Sequence, residues 1–215
     1  MEFLNYLGNR WPNLVEQGIE HAYLVAVPVI VGTVISLLLG IVSYHSNWFR
    51  SVTISVTSTF LTIPSFALFV LFIPFVGIGA TPAMIGLTMY CLLPITRNTI
   101  AGLRGVDQAV VESAKGMGLN ARQRLLRIEL PLAWPVIITG IRVATQITVG
   151  IAAIGVFVNA GGLGEDIMGG LSRLGSAQAV NITLGGTVGI VVIALIFDAF
   201  LFLIQKLTTS RGLRD

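Results

Sequence analysis

The stretch that decides the fold is DQAVVESAKGMGLNARQRLLRIELP, residues 107–131, a polar run between two strongly apolar regions. It holds seven charged residues, out of 13 basic and 10 acidic residues in the whole chain. The chain as a whole is 54% hydrophobic and 11% charged, with a mean hydropathy of +0.88. Soluble domains carry about 25% charged residues. The composition therefore indicates an integral membrane protein whose largest polar loop is this stretch.

Within that loop the residue order predicts a helix, a glycine bend and a second helix. Asp107 is suited to cap a first helix over residues 108–116, which Gly116 and Gly118 then interrupt. Asn120 together with Gln123 fits a capping box for a second helix, which is expected to stop at Pro131. A short rigid element of this kind in a membrane protein favours contact with a water-soluble partner.

Apolar runs on both sides of the loop predict an all-α polytopic membrane protein with five transmembrane helices. Residues 22–44 are uncharged over 23 residues, and about 20 are needed to cross a ~30 Å hydrocarbon core. Residues 51–96 are uncharged and fit two spans, about 52–73 and 82–103, with Pro64 accommodated inside the first of them. The fourth and fifth spans are expected at about 134–158 and 179–207, with the loop at 104–133. Residues 1–20 read as an extracytoplasmic amphipathic segment, residues 21–207 as the membrane domain, and residues 208–215 as a basic cytoplasmic tail.

Small residues recur at helical spacing in three of these spans, and the stripe in the fourth span consists of Gly140, Ala144, Thr148 and Ala152. Gly32, Ser36 and Gly40 form one stripe in the first span, and Gly185 and Gly189 are spaced for close packing in the fifth. Such stripes let the backbones of neighbouring membrane helices approach closely.

The distribution of basic residues predicts the orientation. Lys and Arg accumulate on the cytoplasmic side of bacterial membrane proteins. One side of the five-span arrangement holds only Arg10 and Arg173. The opposite side holds Arg50, Arg104, Lys115, Arg122, Arg124, Arg127, Lys206, Arg211 and Arg214, with Arg97 and Arg142 at its edge. We therefore expect a multi-pass membrane protein with the N-terminus outside and the C-terminus in the cytoplasm.

Several functional classes lack the residues they need. Cys91 is the only cysteine, and no Cys/His cluster has metal-ligand spacing. His21 and His45 flank the first span on opposite sides, so no catalytic constellation can be assembled at one depth. No G-x-x-x-x-G-K-[ST] motif is present. We expect no catalytic, cofactor or metal site in this chain, and the clustered basic residues indicate topology rather than nucleic-acid binding.

Arg142 and Asp198 are the ionisable residues at membrane depth. Such residues are functional candidates by default. Both are expected near the cytoplasmic third of the bilayer, which favours a structural pairing or an interfacial position over a role in a transport path.

The loop resembles the cytoplasmic loop of type I ABC importer permeases. In that family the loop reads Glu-Ala-Ala, three residues, Gly, nine residues, Ile-x-Leu-Pro. The spacing is the same here, and Ser113 in place of alanine is a mild departure because both are small. The matching positions are Glu112, Ser113, Ala114, Gly118, Ile128, Leu130 and Pro131.

Further segments resemble one branch of that family, the glycine betaine/carnitine/choline permeases. These are LLPITRNTIAGL (92–103), ESAKGMG (112–118), RIELPLAWPVIITGIR (127–142) and NAGGLGEDI (159–167). The methionine importers have a similar five-span permease and are the nearest competitor. A passive channel or a membrane enzyme is the alternative from another class.

The resemblance implies a MetI-like permease fold in the bacterial plasma (inner) membrane and a set of partners. Two permeases, identical or sister chains, would form the path for a compatible solute such as glycine betaine, carnitine, choline or proline betaine. An extracytoplasmic binding protein would deliver the solute, and two cytoplasmic ATPase subunits would bind ATP-Mg. The implied ATPase-coupling residues are Glu112, Ser113, Ala114, Lys115, Gly116, Met117, Gly118, Leu130 and Pro131. The expected outer gate or binding-protein contact comprises Gly161, Gly162, Gly164, Glu165 and Asp166.

Overall fold

A computed structural model describes residues 2–176 and 178–209, and this part of the chain is helical without strands. Within these ranges, nine α-helices are interrupted by one π-helical turn at Leu125–Glu129 and one 3₁₀ segment at Ala153–Val158. The helices are α1 (Glu2–Ser43), α2 (Asn47–Thr62), α3 (Ser65–Val76), α4 (Ala80–Arg104), α5 (Gln108–Gly116), α6 (Ala121–Arg124), α7 (Leu130–Ala152), α8 (Gly164–Leu171) and α9 (Ala179–Thr208).

Helix α4 lies at the centre, and α1 and α7 pack along it. The stripe on α1 makes that approach close: a Cβ added at Gly32 would lie 2.6 Å from the Cβ of Cys91. Further along α1, the Ser36 hydroxyl donates to the Leu92 carbonyl at 3.3 Å, and Gly40 contacts the Thr99 side chain. Small residues thus replace side-chain interdigitation with backbone contact at this interface.

Helix α1 is continuous over 42 residues, or about 63 Å. Residues 2–20 of the segment expected as a separate amphipathic element form the opening turns of this helix. They pack against α8 and α9: Gly185 of α9 accommodates the ring of Tyr6. The helix is therefore about twice as long as a ~30 Å hydrocarbon core requires.

The stretch expected as the second span is two helices rather than one. Helices α2 and α3 meet at 97°, with Ile63 extended and Pro64 at the N-cap of α3. Proline lacks the N–H that would continue α2, and it disfavours helical geometry in the residue before it. The hydroxyl of Tyr90 donates to the freed carbonyl of Ile63. Pro64 therefore ends a helix here and is not accommodated within one.

Among the described residues, three helices are long and apolar enough to cross a bilayer, or four if α2 and α3 count as one broken span. The helices expected at about 82–103 and 179–207 are present as α4 and α9. The five-span count stays a prediction. Most of the predicted basic tail, residues 210–215, lies outside the described residues.

The prediction that the second loop helix stops at Pro131 is wrong. The chain stays helical from Ala121 through Ala152 and passes through the π-helical turn, where the Leu130 N–H bonds to the Leu125 carbonyl five residues back. Pro131 lies in the first turn of α7, where its missing N–H costs little. The π-turn takes up the change in hydrogen-bond register ahead of the proline. Helix α6, the π-turn and α7 therefore form one continuous helical segment, residues 121–152, which we call the helical lever.

Candidate functional site

The loop between α4 and α7 has the helix–bend–helix geometry that the sequence predicts. The Asp107 carboxylate accepts from the Ala109 N–H at 2.8 Å and caps α5. The Asn120 and Gln123 side chains and backbones form the expected capping box at α6.

The bend itself is a Schellman motif at the end of α5. The Leu119 N–H bonds to the Ala114 carbonyl at 3.2 Å, and the Gly118 N–H bonds to the Lys115 carbonyl at 2.9 Å. Gly118 has φ +81, a left-handed conformation that favours glycine. Gly116 is in ordinary helical geometry, and a Cβ on either glycine would meet nothing within 4 Å in this chain. The bend therefore leaves open space on its outer side.

The implied coupling residues divide into an exposed set and a buried one. Glu112 and Met117 are 64% and 70% exposed, and Lys115 donates to the Glu112 carboxylate at 2.7 Å. The hydrogen bond and the charge of Lys115 lower the pKa of that carboxyl. Ala114 is only 1% exposed, so it packs against the rest of this chain. The exposed residues are the ones available to another protein, while Ala114 supports the turn from beneath.

The foot of the loop holds a functional candidate that the sequence reasoning missed. Glu129 is 4% exposed and accepts a hydrogen bond from the Tyr44 hydroxyl at 2.7 Å. The Arg124 Nε lies 4.0 Å from its other carboxylate oxygen. Next to it, Leu130 is half-buried and Pro131 exposed. The contact ties the end of the loop to the end of α1, and the only signal in the sequence was an acidic residue between Ile128 and Leu130.

The glycine-rich segment at the opposite end of the bundle is held against α1. Gly161 and Gly162 have φ +81 and +83, and the Gly162 N–H donates to the Glu20 carboxylate at 3.1 Å. A Cβ on Gly162 would lie 3.1–3.2 Å from His21. Gly164 packs against the backbone of Ala153. Tight packing of this kind describes an anchored turn more closely than a freely moving one.

The two acidic residues of this segment have different environments. Glu165 is exposed and accepts from Gln17 at 3.4 Å. Asp166 is buried; its Oδ1 accepts from Arg10 at 3.1 Å, and its Oδ2 accepts from the Tyr6 hydroxyl at 3.4 Å. Asp166 thus binds the opening turns of α1 to α8. Only Glu165 of this pair presents its carboxylate at the surface.

Arg142 and Asp198 form a bidentate ion pair between α7 and α9. The guanidinium Nε and Nη2 lie 2.8–3.0 Å from the carboxylate oxygens. The structural pairing that the sequence favours is confirmed. Asp198 lies about 15 Å along α9 from the end of that helix at Thr208.

The geometry has one end that presents an exposed helix–glycine bend and another that presents an anchored glycine turn, joined by long apolar helices. A family model described as "Binding-protein-dependent transport system inner membrane component" matches residues 32–210. The chain belongs to this family. It is therefore a membrane-embedded component of a transport system, with several membrane-crossing helices.

Near-full-length relatives have related names. The chain is 32% identical to the glycine betaine/carnitine/choline transport system permease protein OpuCB of Bacillus subtilis, with 99% of this chain and 96% of that one covered. It is 33% identical to the choline transport system permease protein OpuBB of the same organism, over 98% and 95% of the two chains. It is also 33% identical to the osmoprotectant import permease protein OsmW of Salmonella typhimurium, over 100% of both.

Solved structures share the fold. The MetNI methionine ABC transporter in an inward-facing conformation contains a chain that matches with a TM-score of 0.79 at 24% identity, over 92% of this chain and 96% of that one. An amino acid ABC transporter matches with a TM-score of 0.66 at 16% identity, over 96% and 97%. At these identities the likeness establishes a MetI-like architecture and no substrate.

Proposed function

We propose that this chain is the permease subunit of an ATP-driven importer for a compatible solute: glycine betaine, carnitine, choline or proline betaine. The family match supports the transport role, and the names of the relatives support this class of solute. The resemblance of the structure to a methionine transporter concerns the fold alone.

The exposed bend at residues 112–118 is the observation that carries the coupling part of the proposal. A permease needs a rigid element that enters a groove of a soluble ATPase and transmits its movement. Helix α5 is capped at both ends, and the surface around Gly116 and Gly118 is empty in this chain. Glu112 and Met117 project from that surface. A capped helix with a vacant, polar and convex tip suits insertion into a partner's groove.

Movement of the bend would reach the membrane by two routes. One is the continuous helical lever through the π-turn into α7. The other is the buried Glu129, whose contact with Tyr44 joins the lever to the end of α1. Because both α1 and α7 pack on α4, a displacement of the loop would be shared by the three central helices.

The proposed importer contains further subunits besides this chain. Two ATPase subunits would each take one such loop and hold the ATP-Mg. A second copy of this chain or a sister permease would complete the path, and an extracytoplasmic binding protein would deliver the solute. ATP binding would favour the outward-facing state and hydrolysis would reset it, a population shift driven by differential nucleotide binding. The asymmetry of basic residues supports a cytoplasmic docking loop, with the N-terminus outside.

Uptake of labelled glycine betaine tests the solute class, in cells with and without this chain and at low and high osmolarity. Excess unlabelled choline, carnitine or methionine serves as competitor. Loss of glycine betaine uptake on deletion is the expected result. Unchanged glycine betaine uptake together with lost methionine uptake would refute the compatible-solute assignment and support a methionine importer of the same architecture.

Charge reversal at the bend tests the docking. Glu112→Lys should leave the chain in the membrane and abolish solute-stimulated ATP hydrolysis, because it removes the carboxylate beside Lys115 and places two cations on the tip. Glu16→Lys is the matched control, since Glu16 is also exposed and has no ion pair among the described residues. Normal ATP-driven uptake with Glu112→Lys would refute the docking role.

A further inference from the structure

A polar cavity lies between the opening turns of α1 and the start of α9. Its volume is about 510 Å³. This is within the range of about 300–1,000 Å³ that small-molecule sites occupy. Its wall combines two arginines, Arg10 and Arg173, with four side-chain amides, and Ile182 is its aliphatic member.

The charges around this cavity leave an excess of positive charge. Arg10 is compensated by the buried Asp166 through a single 3.1 Å contact, and the Arg10 Nε is buried without a hydrogen-bond partner among the described residues. Arg173 is exposed and makes no ion pair within the described part of the chain. The wall thus presents one uncompensated guanidinium, Arg173, beside the Arg10 guanidinium that is already paired with Asp166.

The other polar groups are neutral amides and the hydroxyl of Tyr6, which donates to Asp166. Asn5 and Asn9 are one helical turn apart on α1, and Gln178 and Asn181 lie at the start of α9. A carboxylate accepts several hydrogen bonds and forms its strongest ones with guanidinium donors. An arginine-and-amide wall therefore fits a carboxylate. It offers a bare organic cation no opposite charge, because the Asp166 carboxylate is already bound by Arg10 and by a tyrosine hydroxyl.

The cavity also has a defined place along the membrane normal. Asn181 lies about 40 Å along α9 from Thr208, which is farther than the ~30 Å thickness of the hydrocarbon core. With the docking loop in the cytoplasm, the cavity opens at the outer surface, beside the glycine turn at residues 161–166.

We propose that this cavity is a low-affinity site for the carboxylate end of a zwitterionic solute at the outer mouth of the permease. The inference rests on the proposed function and extends it, because it places a solute-binding site on this chain itself. It also discriminates within the solute class: glycine betaine and carnitine carry a carboxylate, whereas choline does not.

The test uses the complete permease–ATPase complex in nanodiscs without the binding protein. Saturation-transfer difference NMR on the methyl protons of glycine betaine measures weak binding directly. Arg173→Gln removes one guanidinium from the wall without breaking an ion pair in the described chain. Lys206→Gln is the matched control, since it removes a cation from the opposite end of the same helix bundle, in the last turn of α9.

We expect saturable binding of glycine betaine that acetate displaces and choline does not. Arg173→Gln should weaken it about tenfold, as loss of a charge-assisted hydrogen bond does, and Lys206→Gln should leave it unchanged. Absence of saturable binding, equal displacement by choline, or unchanged affinity in Arg173→Gln would each overturn the proposal.

Two parallel measurements distinguish a solute site from a docking site for the binding protein, and from the transport role itself. If Arg173→Gln weakens docking of the binding protein but leaves free glycine betaine binding intact, the carboxylate belongs to that protein, and the solute site is refuted. Uptake by the complete wild-type importer reports on the proposed function alone. Uptake without binding in the cavity would refute only this further inference.

Discussion

Replacing Asp198 by asparagine should destabilise the packing of α9 on α7. The substitution keeps the shape of the side chain but removes the charge that Arg142 contacts at 2.8–3.0 Å. It leaves the Arg142 guanidinium without its counter-ion between α7 and α9. The variant therefore separates the electrostatic role of the pair from its steric role.

The size of the effect follows from the exposure of the pair. Removing one partner of a fully buried ion pair costs about 3–5 kcal/mol. An exposed pair contributes about 0–1 kcal/mol. Arg142 and Asp198 are 29% and 31% exposed, so the expected loss is intermediate, about 2 kcal/mol. A loss of that size raises the unfolding equilibrium constant roughly 30-fold.

Reversible unfolding in mixed micelles of mild detergent and SDS measures this loss. The double variant Arg142→Met with Asp198→Asn removes both charges and should be less destabilised than either single variant, because no unpaired charge is left. Arg97→Met controls for the loss of a cationic side chain that has no ion pair among the described residues. Additive losses in the double variant, with no coupling energy, would refute a stabilising role for the ion pair.

Three further changes test the loop and the helix packing. Gly118→Ala and Gly175→Ala introduce the same left-handed strain, about 1–2 kcal/mol, and both positions have open surroundings. Only Gly118 lies in the coupling bend, so only Gly118→Ala should lower ATP-driven uptake several-fold. Equal effects of the two variants would contradict the coupling role. Tyr44→Phe leaves the buried Glu129 without its 2.7 Å hydrogen bond, at a cost of about 1–3 kcal/mol, and should reduce solute-stimulated ATP hydrolysis; an unchanged rate argues against that link. Gly32→Val places methyl groups against α4 and should reduce the free energy of unfolding by about 1–3 kcal/mol, which a lower SDS midpoint would report. An unchanged midpoint would show that α1 can move away from α4.

Local signals in the loop predicted its secondary structure well. The cap at Asp107, the capping box at Asn120 and the left-handed bend at Gly118 depend on hydrogen bonds between residues only two to five positions apart. Such contacts form in the same way wherever the segment is placed, so the residue types were enough to predict them. The end of the second helix was wrong because a π-turn ahead of Pro131 admitted the proline into a continuing helix.

The prolines show where local reasoning ends. Pro28 and Pro94 lie within helices, whereas Pro64 separates two helices at 97°. The residue type is the same at all three positions. At Pro64 two contacts stabilise the break: the Ile63 N–H bonds to the Phe60 carbonyl, and the Tyr90 hydroxyl donates to the Ile63 carbonyl. The break between α2 and α3, just before Pro64, is therefore tolerated.

The sequence by itself determined the membrane class, the loop pattern and the family resemblance, because hydropathy, helix caps and motif spacing depend on residue order alone. Tertiary structure decided which distant side chains meet, and for Arg142 and Asp198 it selected the pairing over the interfacial position that the sequence also left open. Arg10 reaches Asp166 across 156 positions, Tyr44 reaches Glu129 across 85, and Arg142 reaches Asp198 across 56. A buried charge requires a partner, but the packing of α1, α7 and α9 selects it. That packing also encloses the polar cavity beside Arg173, which no short segment of the chain encodes.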